Sequence, residues 1–261
     1  MTAAIDVHAH FGMADGFPQK GKEKEFLFLP QDVLDEMRKE AGVRVVMASA
    51  AEGIFPFGAH TVAEANRRLF ELTQTVPWLY QWVIVNPLEP ETYIQAREML
   101  KEQKCVGIKI HPDAHGYSVA EYGNEIFAFA SEFQAVVETH SGDKLSMPEE
   151  YVVFADRYPA VRILLSHLGN GCDGDVTHQV RAVLKGRNGN LYTDVSSVKS
   201  ILPGLVEWAV REIGSDHIMF GSDSPLHHMG MMRSRIDYAM LPAQDKENIL
   251  YRTANRLFSL N

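Results

Sequence analysis

Cysteine is scarce in this sequence: Cys105 and Cys172 stand far apart and form no CxxC pair. A disulfide framework and a cysteine-built zinc site are thereby excluded. Both thiols are expected to be free, buried in the core and kept reduced in the cytoplasm. Long apolar runs are also missing. None reaches the roughly 20 residues that a membrane helix needs, so no membrane span is expected. The first residues carry neither a basic segment nor an apolar signal core, so no signal peptide is expected. Positive charge is in deficit, with 25 Lys and Arg against 34 Asp and Glu and a formal net charge of −9. No long block of like charge occurs, so nucleic acid and anionic membranes are not expected partners. There is no low-complexity tract, linker or short repeat. A glycine-rich phosphate turn is absent after the first apolar run, where His8-Ala9-His10-Phe11-Gly12 stands instead. That argues against an open, doubly wound nucleotide-binding sheet.

What the sequence does have is a regular alternation of apolar runs and helical patterns. Hydrophobic residues are 46% and charged residues 23% of 261, the balance of a globular protein with a substantial core. Strands are predicted at Ile5–His10, Val43–Ala48, Leu79–Val85, Val106–Pro112, Ala135–His140, Val161–His167, Leu191–Ser196 and Ile218–Asp223. Helical patterns follow nearly all of them. Val33, Leu34 and Met37 share one helix face, and Thr61 with Glu64 forms a capping box. Pro148 opens another helix, a further one is expected from about Asp175 to Leu184, and Leu202, Leu205, Val206, Ala209, Val210 and Ile213 share one face of the next. Strict alternation implies parallel strands and right-handed crossovers. Eight such units make a (β/α)8 barrel, a TIM barrel, in one domain over residues 1–261. The Gly- and Lys-rich stretch from Gly12 to Glu25 reads as a mobile flap. Phe55-Pro56-Phe57 reads as aromatic packing over the barrel rim.

Five of the 11 histidines fall at the ends of predicted strands: His8 and His10 on the first, then His111, His140 and His167. Asp223 ends the eighth. In a barrel these ends converge on the face where active sites are built. His8 and His10, one residue apart on a strand, point the same way. His8, His10, His140 and Asp223 would place three nitrogens and one oxygen around an ion with room for water or substrate. Such a metal lowers the pKa of bound water toward about 7. His167 has two readings, a ligand to a second metal or a general acid/base held off the metal; the second is preferred. Lys109 shares a strand face with His111. It could carry a carbamate bridging two metals, attract an anionic substrate as a free ammonium, or snorkel outward. His111, nearer solvent, suits substrate contact. Asp194 and Ser196 are candidate pocket residues. His60, His115, His227 and His228 lie in loops on the correct side, and His178 and His217 are expected at the surface.

Together, Asp6-Val7-His8-Ala9-His10, Gly107-Ile108-Lys109-Ile110-His111-Pro112, Thr139-His140-Ser141-Gly142, Leu165-Ser166-His167-Leu168-Gly169, Gly221-Ser222-Asp223-Ser224-Pro225 and the closing Asn255-Arg256-Leu257-Phe258 resemble the amidohydrolase superfamily. The resemblance is to its amidohydrolase-related group of metal-dependent barrels and spans essentially the whole chain. It implies that His8, His10, His140 and Asp223 bind a catalytic divalent metal, most often zinc, with manganese as an alternative. One ion is favoured over two. It also implies that His167 helps activate water or substrate. In the hydrolase reading, Asp223 is both ligand and acceptor of the nucleophile's proton. Members of the group include C–N and C–O hydrolases, lactonases and non-oxidative decarboxylases of aromatic acids. The expected activity is a metal-dependent hydrolase that directs a metal-activated water at an amide, ester or lactone. The alternative is a decarboxylase of a small aromatic or unsaturated acid. A barrel with a purely structural metal or a vestigial site is the non-enzymatic alternative. The expected partner is a small molecule, and a homo-oligomer is compatible with the sequence.

Overall fold

The computed structural model describes residues 2–11, 31–54 and 61–260. The expected flap from Gly12 to Glu25, the Phe55-Pro56-Phe57 segment and His60 lie outside the described residues. Eight strands pair side by side in chain order, all parallel. They are β1 (Ala4–Phe11), β2 (Val43–Ala50), β3 (Leu79–Ile84), β4 (Cys105–Ile110), β5 (Val136–Thr139), β6 (Arg162–Leu165), β7 (Leu191–Asp194) and β8 (Ile218–Met219). The segment after β8 returns to β1. Val7 N donates to Phe220 O at 2.9 Å, His10 N donates to Ser224 O at 2.7 Å, and Ala9 bridges Ser224 in parallel. The sheet is therefore a nearly closed (β/α)8 barrel forming a single domain, as the alternation predicts.

The principal helices between strands are α1 (Gln31–Glu40), α2 (Val62–Thr75), α3 (Glu91–Met99), α4 (Val119–Glu132), α5 (Val152–Arg157), α6 (His178–Lys185), α7 (Leu205–Ile213) and α8 (Met229–Asp237). Short helices α9 (Ala243–Glu247) and α10 (Thr253–Phe258) close the chain. The capping box forms: Glu64 N donates to Thr61 Oγ1 at 3.2 Å and Thr61 N donates to Glu64 Oε2 at 2.9 Å, which satisfies two end donors of α2.

Several boundaries differ from expectation for local reasons. Leu34 and Met37 are buried on α1, but Val33 is exposed. The helix expected from Asp175 begins at His178, because Asp173 and Asp175 accept backbone N–H groups two residues on and make turns instead. Pro148 opens a single 3-10 turn, Pro148–Tyr151, before α5. Leu202 lies ahead of α7 and is exposed, since Gly204 in a left-handed conformation starts that helix.

The barrel floor is sealed by Trp82. It is fully buried, its indole N–H donates to Val7 O at 2.9 Å, and Phe258 of α10 packs edge-on with centroids 5.5 Å apart. Gly107 of β4 makes room for it: a Cβ there would lie 2.7 Å from the Trp82 ring and 2.4 Å from Val136 O. Ile5, Val7, Met47, Leu164 and Met219 share this buried cluster. The pairing of β1 with β2 shifts register between Asp6 and Ala9, a bulge in the middle of the histidine strand. Strict alternation is broken there, yet His8 and His10 both reach the same cluster at the mouth, as bulges beside active sites commonly allow.

Candidate metal centre

His8 and His10 lie on β1, Lys109 on β4, Glu138 on β5 with His140 just after it, and Asp194 ends β7. His167 and Asp223 follow β6 and β8 by a few residues. Both sit in left-handed backbone, with φ of 71° and 58°. Non-glycine residues hold such conformations only where the surroundings dictate them, and they cluster at functional sites.

His8, His10 and Asp223 are brought together, each offering a ligand atom within 4.8 Å of the others. Asp223 Oδ1 lies 3.0 Å from His10 Nε2 and 3.4 Å from His8 Nε2. His8 Nε2 and Asp223 Oδ1 are buried with no hydrogen-bond partner of acceptable geometry. Orphaned buried polar atoms are costly unless something binds them. The far edges of both rings are occupied. His8 Nδ1 is 3.1 Å from Asp194 Oδ2 and 2.9 Å from Glu138 Oε1, and His10 Nδ1 is 2.9 Å from Ser49 Oγ. Carboxylates behind a ligating histidine fix its tautomer and aim its other nitrogen, so this donor set fits a divalent ion. Burial pushes the Asp223 carboxyl up, but the close imidazoles of His10 and His8 outweigh it and hold the group well below the usual carboxylate range. Burial opposes charge on His8, yet Glu138 and then Asp194 raise it well above the ordinary histidine value. Burial lowers His10 despite Asp223.

His140 is placed differently. Its Nδ1 meets His167 Nε2 at 3.1 Å and its Nε2 meets Asp143 Oδ2 at 2.6 Å. It clusters with Asp113 and Asp143 rather than with His8, His10 and Asp223. The expected four-residue set thus appears as three residues plus one, with the His167 ring between. His167 centroids lie 4.7 Å from His8 and 4.8 Å from His140. His167 Nδ1 is 2.7 Å from Ser196 Oγ, and burial, then the His8 charge, lower its pKa well below the ordinary value. His111 is half-buried and stacks on His140 at 4.1 Å between centroids. Its Nδ1 accepts from Ala114 N at 3.2 Å, capping the short turn after β4.

Lys109 does not snorkel outward. Its Nζ donates to Glu138 Oε1 at 2.8 Å, with both side chains 1% exposed. Glu138 was not anticipated from sequence. Its signal was a single charged residue inside the apolar run Val136-Val137-Glu138-Thr139, two before His140. Asp194 and Ser196 do belong to the site. Asp194 Oδ1 accepts the backbone N–H of His167 and of Ser196, each at 3.0 Å, and the Ser196 hydroxyl. Asp6 was also missed. It accepts Ser222 N at 2.9 Å and His8 N at 3.2 Å, and burial pushes its pKa up to about 7.

Among the remaining histidines, His227 Nδ1 donates to Ser196 O at 3.0 Å and lies 3.8 Å from Asp223 Oδ2, at the edge of the centre. His228 caps α8, His115 bonds Gly53 O, and His217 bonds Leu191 O. The surface expectation fails for His178. It is buried, and Glu149 and Asp173 hold its two ring nitrogens at 3.0 Å each. Cys105 is buried as expected, but Cys172 is exposed because it sits in the turn before α6.

A family model described as amidohydrolase matches residues 5–260. The chain belongs to the amidohydrolase family and is an enzyme of that superfamily. No curated protein matches the sequence. Solved structures resemble it over their full length. A 2,6-dihydroxybenzoate decarboxylase from Rhizobium has a TM-score of 0.76 at 14% identity, covering 99% of each chain. The 5-carboxyvanillate decarboxylase of Sphingomonas paucimobilis has a TM-score of 0.77 at 14% identity, covering 100% of each chain. A dihydroxybenzoic acid decarboxylase from a Polaromonas species, with bound manganese and the inhibitor 2-nitroresorcinol, has a TM-score of 0.75 at 18% identity, covering 100% of this chain and 98% of that one. At such identities the likeness is one of fold. Family membership and the His8–His10–Asp223 cluster together support a divalent metal cofactor. Among the described residues no helix is long and apolar enough to cross a membrane.

Proposed function

We propose that this chain is a metal-dependent hydrolase acting on an amide, ester or lactone of a small molecule, with His8, His10 and Asp223 as the core metal ligands. The observation that carries the reading is the convergence of His8 Nε2, His10 Nε2 and Asp223 Oδ1, two of them buried without a hydrogen bond. A divalent ion at that point supplies a Lewis acid and lowers the pKa of coordinated water. Zinc and manganese both suit imidazole and carboxylate donors. His140 is the next available donor, through the ring edge it turns to His167.

The residues around the centre have separate tasks. The Ser196 hydroxyl donates to Asp194, so Ser196 Oγ accepts the His167 Nδ1 proton and the lone pair of His167 lies on Nε2. A neutral His167 therefore takes up a proton at Nε2 and returns it to the leaving group. Asp223, held ionised, offers Oδ2 as a second proton acceptor. His111, half-buried beside His140, contacts substrate. Lys109, paired inside the barrel with Glu138, is not available for that role.

The second reading is decarboxylation of a small aromatic or unsaturated acid, the reaction named for the three structural relatives above. A specific feature favours it. Decarboxylation consumes a proton at carbon in every turnover, and His167 connects through His140 to Asp143, which is 44% exposed. That run of hydrogen bonds offers resupply from solvent. One experiment separates the readings. Chelator-stripped protein is reloaded with zinc or manganese and assayed against ester, lactone and hydroxybenzoate panels in D2O. Hydrolysis leaves carbon-bound hydrogen unchanged, whereas decarboxylation releases CO2 and places deuterium on carbon. Undiminished turnover by stripped protein would overturn both.

A further inference from the structure

We propose that His178 is a pH-operated latch: as an imidazolium it ties the 3-10 turn Pro148–Tyr151 to the turn before α6, and Gln179 beside it carries that tie to the loops that hold His140 and His167. The inference goes beyond the metal reading and does not depend on it. It starts from a count of protons. His178 is buried, its Nδ1 lies 3.0 Å from Glu149 and its Nε2 lies 3.0 Å from Asp173. Both carboxylates accept, so each ring nitrogen must carry a hydrogen. A neutral imidazole has one N–H and leaves one carboxylate against a lone pair. The latch is therefore complete only with the charged ring. Burial opposes that charge, but Glu149 and Asp173 outweigh it and raise the pKa above the ordinary histidine value. An arginine in this place would bridge the two segments at every pH; a histidine makes the bridge conditional.

The neighbouring side chain passes the tie inward. Gln179 is fully buried: its Oε1 accepts Gly169 N at 3.2 Å, and its Nε2 donates to Asn170 O at 2.9 Å and to Ser141 Oγ at 3.3 Å. Asn170 Nδ2 donates to Ser141 O at 3.0 Å, and Cys172 N donates to Gly142 O at 2.7 Å. The loops after β5 and β6 are thus sewn to each other and to the start of α6. Contact on the ring is close: a Cβ at Gly171 would stand 3.0 Å from His178 Cδ2 and 2.1 Å from Asp175 O. The charges that act on the ring are acidic. Glu149 comes from the 3-10 turn, with Glu150 next to it, and Asp173 and Asp175 come from the turn before α6. Asp175 is answered by Arg181 of α6 at 2.8 Å, and the Cys172 thiol turns to Met147 at 3.9 Å. Charged groups of the other elements packed on α6 are engaged elsewhere: Asp156 and Arg157 of α5 with Arg187 and Asn124, Glu207 of α7 with Arg235, Arg211 with Glu212, and Asp194 of β7 with His8. When the ring loses a proton, Asp173 is the partner released. It is 53% exposed against 26% for Glu149, so water replaces the lost N–H there at less cost. The turn from Gly171 to Asp175 then loses its hold, and with it the Cys172 link to the loop after β5.

The test follows ring protons and loop amides in the full chain. Imidazole 15N NMR should find His178 protonated on both nitrogens at neutral pH and titrating above the ordinary value of about 6.5, with His178→Gln identifying its signal. Hydrogen exchange at the Cys172 and Gly169 amides, corrected for its intrinsic pH dependence, should be flat below that titration. Above it, protection should fall by at most about tenfold per pH unit, the slope for release of one proton. In His178→Gln this dependence should vanish. In Asp173→Asn the same amides should exchange fast at every pH, and His178 should titrate lower. Wild-type exchange that stays flat through the His178 titration, or a His178 that is neutral below the ordinary value, would overturn the inference. So would an equal loss of protection at Val46 in β2, which would mark loosening of the whole barrel. Asp173→Asn amides as protected as those of the wild type would remove the role given to Asp173. None of these readings needs a bound ion or turnover, so their failure leaves the proposed function standing. The wild-type measurements decide even where a variant fails to fold.

Discussion

Replacing Asp194 with asparagine tests the centre at a residue that would not touch the ion. Oδ1 accepts the His167 and Ser196 backbone N–H groups, each at 3.0 Å, and Oδ2 faces His8 Nδ1 at 3.1 Å. In Asp194→Asn the amide keeps its oxygen toward the two backbone donors and points its NH2 at His8. Two donors then oppose each other. Flipping the amide only moves the conflict to the backbone N–H groups. With Glu138 left as the sole carboxylate at His8 Nδ1, 2.9 Å away, the repulsion favours shifting the proton from Nδ1 to Nε2, the atom aimed into the cluster, where a protonated nitrogen cannot ligate. Loss of such an outer carboxylate costs about 10- to 100-fold in metal affinity. That is about 1.4–2.7 kcal/mol of binding free energy. The metal-free barrel should also lose about 1–3 kcal/mol from the mispaired buried group. Competition against a chromophoric chelator measures the first quantity, and urea unfolding of stripped protein measures the second. An affinity within about twofold of wild type would refute the assignment of His8 Nε2 as a ligand.

His8→Ala and His10→Ala should each abolish stoichiometric metal by elemental analysis while leaving far-UV circular dichroism unchanged; retained metal would place the centre elsewhere. Because Glu138 and Asp194 raise the His8 pKa, metal-free protein holds His8 protonated at neutral pH, and metal uptake must displace that proton. Calorimetry in buffers of different ionisation enthalpy should find about one proton released per ion, with affinity rising as pH increases. The linkage sign for the metal-free fold is the reverse: stabilisation by the raised His8 is full below the ordinary histidine value and is lost as pH climbs through the elevated one. Gly107→Ala would drive a Cβ to 2.4 Å from Val136 O and 2.7 Å from Trp82, so it should cost about 1–3 kcal/mol or more in denaturant unfolding.

The barrel was legible because its signal is repeated. Eight apolar runs separated by helical patterns imply a parallel, closed sheet with few competing topologies. The His8–His10 pair and Asp223 were legible because ligand-type residues at strand ends are rare by chance. Residues that act across the barrel were harder to read. Lys109 and Glu138 are 29 positions apart, and nothing in either strand alone says that they meet. His140 was read as equivalent to His8 and His10, because sequence reports which residues end strands and not where a ring turns. Sequence places His178 at the surface because its partners, Glu149 in the 3-10 turn before α5 and Asp173 in the turn before α6, lie in separate segments. The turn at Asp175 was overlooked because a side chain bonding its own backbone competes with helix formation through a local geometry that periodicity does not register.

The ends of the chain meet at the proposed centre. Asp6 near the start grips Ser222 across 216 residues, and His8 O accepts the backbone N–H of Asp223. Three candidate donors therefore come from the first strand and from the turn after the last. No early folding intermediate that lacks the eighth strand can assemble them. An ion bound there would act as a rivet on the joint between first and last strands, formed after everything else is in place. Metal uptake during refolding should accordingly lag secondary structure and coincide with the final closure, so the centre would report on completion of the barrel as well as on chemistry.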